Sequence, residues 1–157
     1  RDVAVTGVQT CALPISIGDL ISGFMSQYLR SRKKTLLFFL VLTVIGCVLY
    51  FLFGGYSKNI FYAIIVFIGF ATGYWAVFIS TAAELFGTNI RSTATTTVPN
   101  FVRSSTILIS VLLAGISAIT SNKIEATIIT GAIVIGAGLY ALFQLEETFG
   151  KELDYTE

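Results

Sequence analysis

An all-α membrane protein, packed as one helical bundle, is the fold class this sequence predicts, and three observations carry the prediction. Hydrophobic residues fill 55% of the 157 positions and charged residues only 12%, about half the charged share of a soluble domain. The mean hydropathy is +0.83, and a soluble chain this apolar has too little polar surface to cover its core. The few charges fall between long uncharged runs, which is how spans alternate with loops.

The same composition excludes several functions. Ten Lys and Arg against nine Asp and Glu leave a net charge of +1, which offers nucleic acid no basic face. With no histidine and two cysteines, neither a zinc centre nor histidine-based catalysis is within the inventory. No acid cluster replaces them, so the sequence predicts a protein that is not an enzyme and holds no metal or cofactor.

Residues 5–15 read Val-Thr-Gly-Val-Gln-Thr-Cys-Ala-Leu-Pro-Ile and resemble the in-frame translation of a common sequencing adapter. Residues 1–15 are therefore set aside as non-native, against the alternative of a genuine helix start. The next stretch, 17–29, is interrupted by Asp19 and too short to span alone, as the end of a truncated helix would be. Residues 36–53 follow, broken only by Thr43 and Gly46. Twenty-five uncharged residues lie between Lys58 and Glu84, nineteen between Arg103 and Lys123, and twenty between Glu125 and Glu146. A spanning helix needs about 17–25 residues. Helices are thus expected over 17–29, 35–54, 59–85, 93–121 and 124–145, with 36–53 and 126–145 peripheral, making 16–145 the membrane part. The remainder, 146–157, reads as a charged tail.

Basic residues set the orientation. Arg30, Arg32, Lys33 and Lys34 crowd the first loop, Arg91 and Arg103 fall in the third, and Lys151 lies in the tail. Only Lys58 and Lys123 occupy the alternate loops. The positive-inside rule puts loops 30–35 and 84–103 and the C-terminus in the cytoplasm. Within the spans, Gly69 and Gly73 form a GxxxG, and Gly131, Gly136 and Gly138 thin one face of the last helix. Small residues let helices approach closely in lipid, here read as packing within one bundle.

Asp19 is the acid that stands inside an apolar stretch. Eleven residues before Arg30, it lies about 15 Å deep, near the bilayer midplane. A carboxylate there is costly and marks proton or ion pathways; the alternative is a structural acid hydrogen-bonded to a neighbouring helix. Ser22 and Ser26 extend a polar stripe from it. Pro99 is expected to kink or start its helix, and Asn100 to cap it.

Three patches together resemble the C-terminal half of a major facilitator superfamily transporter. Gly23-Phe-Met-Ser-Gln27-Tyr-Leu-Arg30-Ser-Arg32-Lys33-Lys34 is similar to the family's loop motif, with Gln27 where the acid usually stands and Arg30 where the second glycine does. Glu84-Leu-Phe86-Gly-Thr88-Asn-Ile-Arg91 resembles the Glu-x-Phe-Pro-Thr-x-x-Arg segment of sugar porters and metabolite:proton symporters, with Gly87 replacing the proline. Glu147-Thr148-Phe-Gly150-Lys-Glu-Leu153-Asp154 resembles the signature that follows the last helix. The segment Gly73-Tyr74-Trp75-Ala76 lacks the Pro-x-Pro-Trp of sugar porters, which favours the metabolite-symporter branch.

The resemblance implies a partial six-helix bundle, the end of helix eight and helices nine to twelve of a secondary active transporter. It would move a small metabolite, an organic anion or a sugar, by alternating access with proton coupling. It also implies a bacterial inner or plasma membrane, and as partners the N-terminal half of the same chain, the lipid bilayer, the substrate and protons. Asp19 becomes the proton-coupling candidate, and Ser22, Tyr74, Trp75 and Thr81 the cavity candidates, against plain packing for the aromatic pair. Arg30, Arg32, Glu84, Arg91, Arg103 and Glu147 would form a cytoplasmic gate, with Glu84 in salt-bridge reach of Arg32 or Arg91. The alternative for the gate is a scatter of solvated charges. For the whole chain the alternative is a small polytopic scaffold or assembly protein without transport.

Overall fold

The computed structural model describes residues 2–86, 88–120 and 122–150, with side chains from residue 12 onward. Gly87 and the tail residues Lys151, Leu153 and Asp154 therefore lie outside the described residues, as do the side chains of most of the adapter-like segment. Six helices follow in order: α1 (Asp2–Leu29), α2 (Arg32–Phe53), α3 (Lys58–Ala71), α4 (Trp75–Leu85), α5 (Arg91–Ile119) and α6 (Lys123–Gln144). No strand occurs among the described residues.

Among the described residues, four segments are long and apolar enough to cross a membrane: α2, the tandem α3–α4, α5 and α6. The distribution of residues agrees with lipid as the surrounding solvent. Large side chains such as Phe24, Leu52, Leu108 and Phe143 are exposed, while the buried positions are mostly Ala, Gly, Ser and Thr. Without a hydrophobic effect between helices in lipid, small residues that admit close packing hold the bundle together. Buried hydroxyls are satisfied locally. Thr35, Thr81 and Thr130 each donate to the carbonyl four residues earlier.

The span expected over 59–85 is not one helix but two. Thr72, Gly73 and Tyr74 separate α3 from α4, with the Gly73 amide turned to Phe70 O at 3.0 Å and the Tyr74 amide to Thr72 O at 2.9 Å. The cause is the crossing of α1. A Cβ on Gly73 would lie 2.6 Å from Gly18 Cα and Ile15 O, and one on Gly18 would lie 2.4 Å from Phe70 O. Two glycines therefore let α1 touch the chain backbone to backbone where α3 ends. The hydropathy of 59–85 is continuous, and nothing local in it announces the break.

Helix α2, expected at the periphery, packs against α1, α3, α4 and α6. Gly46 gives room to Phe67 and Ile68, and Thr43 Oγ1 donates to Ala71 O at 3.2 Å, taking up a carbonyl at the end of α3. Its opposite face, including Phe38, Val41 and Val48, remains exposed. Helix α6 packs against α2 and α5, and α5 against α4 and α6. Gly131, Gly136 and Gly138 meet no atom within 4 Å; Gly131 and Gly136 line an apolar groove of about 660 Å³ between α2, α3 and α6.

The loop expected over 84–103 is confined to the few residues between Leu85 and Arg91, so Arg91 through Arg103 form the first turns of α5. Pro99 neither starts nor ends the helix; it is buried within it. Hydroxyls of Thr95 and Thr96 bond the carbonyls of Arg91 and Ser92, one turn earlier. Asn100 is no cap: its amide donates to Thr96 O at 3.0 Å.

Candidate functional site

At one end of the bundle, four chain segments meet around Arg32. Ser31 is the N-cap of α2 and its hydroxyl accepts from the Lys34 amide, so the helix begins at the residue that follows it. This start aims the first free amides of α2 at the segment beyond α6. The Glu147 carboxylate sits on them, accepting from Arg32 N at 2.8 Å and from the Ser31 hydroxyl. An anion at a helix N-terminus is favoured by the free amides and by the helix dipole. Lys33 makes the reciprocal contact, its Nζ donating to Phe143 O at 2.8 Å and Leu145 O at 3.0 Å at the end of α6.

The Arg32 side chain reaches the other way. Its Nη2 donates to Glu84 Oε1 at 2.7 Å, its Nε lies 3.2 Å from the same oxygen, and its Nη1 donates to Ser26 Oγ at 2.8 Å. Its guanidinium carbon stands 5.4 Å from the centre of the Phe149 ring. Thr148, fully buried, donates to Glu84 Oε2 at 2.8 Å. One arginine thus joins α1, α2, α4 and the tail. The Arg32 and Glu84 side chains are 12% and 14% exposed, so water screens their attraction far less than at an open surface.

Desolvation acts to raise the Glu147 pKa, but hydrogen bonds from Ser31 and from the backbone amides of Arg32, Phe149 and Lys33 outweigh it. The net effect holds the carboxyl below its ordinary value of 4.5.

Not every candidate for this cluster lies in it. Arg91 Nε donates to Ala83 O at 3.0 Å, bracing the turn from α4 to α5. Arg30 is exposed and marks the end of α1 with φ 47°, a left-handed conformation. Arg103 is twelve residues along α5 from Arg91 and has left this end; its guanidinium carbon lies 5.9 Å from the centre of the Trp75 ring, at the start of α4.

A cleft of about 400 Å³ opens between α1 and α4, lined by Asp19, Gln27, Arg32 and Ser80 among others. Asp19 Oδ1 accepts from the Ala76 amide at 3.1 Å. Ala76 is the second residue of α4, whose own N-cap, Tyr74, makes no side-chain cap bond. Asp19 therefore caps α4 from another helix. Ser22 is fully buried and donates to Asp19 O, and Thr81 is buried on Val77 O, so neither hydroxyl faces the cleft. Tyr74 lies on the other side, 6.4 Å from the Phe39 ring, beside a pocket shared with α2 and α6. Trp75 packs on Phe78 at 5.4 Å.

Sequence reasoning missed Ser31, Lys33 and Thr148 as members of the cluster. Ser31 was signalled by its position just before an apolar run, as an N-cap. The partner of a buried threonine has no such local sign. Among the described residues no group of His, Cys, Asp and Glu could hold a metal ion. No protein-family model, curated protein or solved structure matches the chain.

Proposed function

We propose that this chain forms part of a secondary active transporter, one that moves a small metabolite, an organic anion or a sugar, by alternating access coupled to protons. The observation that carries the reading is the Arg32–Glu84 pair with Glu147 seated on the N-terminus of α2. It ties the ends of α1, α2 and α4 to the segment that follows α6. The distribution of basic residues favours the cytoplasmic side for this end, the resemblance implies a bacterial inner or plasma membrane, and in this reading the cluster is the latch of an outward-open state. A solvated ion pair is worth about 0–1 kcal/mol, but several linked and partly shielded contacts amount to a few kcal/mol. That is enough to bias a two-state equilibrium strongly.

Asp19 supports the coupling half of the reading. Its carboxylate borders a cleft and at the same time holds the first turn of α4. A negative charge is favourable at a helix N-terminus, so this carboxylate on the cleft wall is tied to the position of α4 and is our candidate for the coupling group. The N-terminal half of the transporter supplies the opposite wall of the cavity, and the exposed apolar faces meet lipid.

The test is reconstitution of the complete protein in vesicles with an imposed proton gradient. Accumulation of small organic anions or sugars, slowed by Glu84→Gln, is the expected result. No gradient-driven uptake of either class, with Glu84→Gln leaving cysteine labelling from both sides unaltered, would favour a polytopic scaffold instead.

A further inference from the structure

We propose that Arg103 binds the carboxylate of an organic anion, with the Trp75 and Phe78 rings receiving its carbon skeleton; within the transport reading, on which the word substrate rests, this makes the substrate anionic. The argument begins with depth. Trp75 is nine residues from Glu84 on α4, so Arg103, lying over Trp75, stands about 13 Å inward of the Glu84 cluster, well within a hydrocarbon layer about 30 Å thick. An ionised group at that depth is costly and is retained for a partner or a pathway. Among the described residues no carboxylate lies in salt-bridge distance of Arg103; the Arg32–Glu84 pair is formed elsewhere.

The immediate surroundings favour an organic oxyanion. Arg103 is exposed, leaving its planar fork of donors accessible, and such a fork matches a carboxylate in two parallel hydrogen bonds. Trp75 and Phe78 are half-exposed and stacked at 5.4 Å beside it, a surface suited to carbon rather than to a second charge. Asp19, whose carboxylate accepts from the adjacent residue Ala76, repels an anion, so the attraction rests on Arg103.

The chain carries one tryptophan, so its emission reports on this site alone. The purified chain in detergent is titrated with acetate, succinate and citrate, with succinamide and inorganic phosphate as controls. A saturable change in Trp75 emission with the carboxylates and none with the controls is expected. Arg103→Gln should raise the half-saturating concentration at least about tenfold, and Arg103→Lys, which keeps the charge without the fork, should fall between. No saturable change in the wild type, an equal response to phosphate or succinamide, or an unaltered response in Arg103→Gln overturns the proposal. Should Arg103→Gln misfold, Arg103→Lys decides: weakened binding supports the assignment and unaltered binding overturns it. The two readings fail separately. Carboxylate binding by a complete protein that transports nothing removes transport and leaves this site; full-rate transport of an uncharged solute by Arg103→Gln removes the site and leaves transport.

Discussion

Asp19 of α1 accepts a hydrogen bond from the Ala76 amide at 3.1 Å and so caps a helix to which it does not belong. Capping bonds of this kind are worth about 0.5–2 kcal/mol. Asp19→Ala should lower stability in detergent by that amount, read from the denaturation midpoint, while Asp19→Asn, which keeps an acceptor, should stay close to the wild type. On the transport reading, Asp19→Asn in the complete protein should abolish proton-driven accumulation and spare counterflow exchange. Accumulation at the wild-type rate by Asp19→Asn would reduce the residue to its structural role.

Gly73 permits the contact that breaks the third span. An alanine there would place a Cβ 2.6 Å from Gly18 Cα and Ile15 O, both backbone atoms that no side-chain rotation can move aside. Overpacking of this sort costs about 1–3 kcal/mol. Gly73→Ala should therefore unfold at lower temperature, and Gly131→Ala, which meets open space, should not. Equal midpoints for the two variants would show that the crossing relaxes freely.

Glu84 receives Arg32 and Thr148 together. Glu84→Gln removes the charge but keeps an acceptor, leaving a poorly exposed guanidinium without its counterion. The expected loss is about 1–3 kcal/mol, and on the transport reading it falls on the state in which this end is closed. Cysteine labelling should then rise from the Arg32 side of the membrane. Arg91→Gln should act less, because the Arg91 Nε donates to the Ala83 carbonyl and braces a turn. Unchanged labelling in Glu84→Gln would make the cluster a topology signal only.

The seat of Glu147 on α2 is pH-dependent, and its sign follows from the lowered pKa. A carboxyl whose pKa is depressed on folding contributes stability above its unfolded value, and that contribution is lost as pH falls through the folded one. For Glu147 the contribution is complete above about pH 4.5 and disappears below it. Detachment of the tail, followed by limited proteolysis near Gly150 with an acid-active protease, should accelerate in that acid range. In Glu147→Gln the rate should be high already above pH 4.5, so that the acid step shrinks.

Composition and the spacing of charges were sufficient for the helical membrane character and for the approximate limits of α2, α5 and α6, because the cost of charge and free backbone in lipid acts on each segment separately. The pairing of Glu84 with an arginine was also legible, since both residues flank spans that end on the same side. What the sequence left open was settled by contacts between distant segments. Gly73 breaks its helix only because Gly18 lies opposite. Asp19 is a cap only because α4 begins beside it. Arg103, which reads as a loop charge, is carried inward because residues 91–103 coil against α4 rather than crossing solvent. Periodicity and hydropathy describe how one segment meets its solvent; which backbone comes within 3 Å of which is a property of the packed bundle, and it decided where these three residues act.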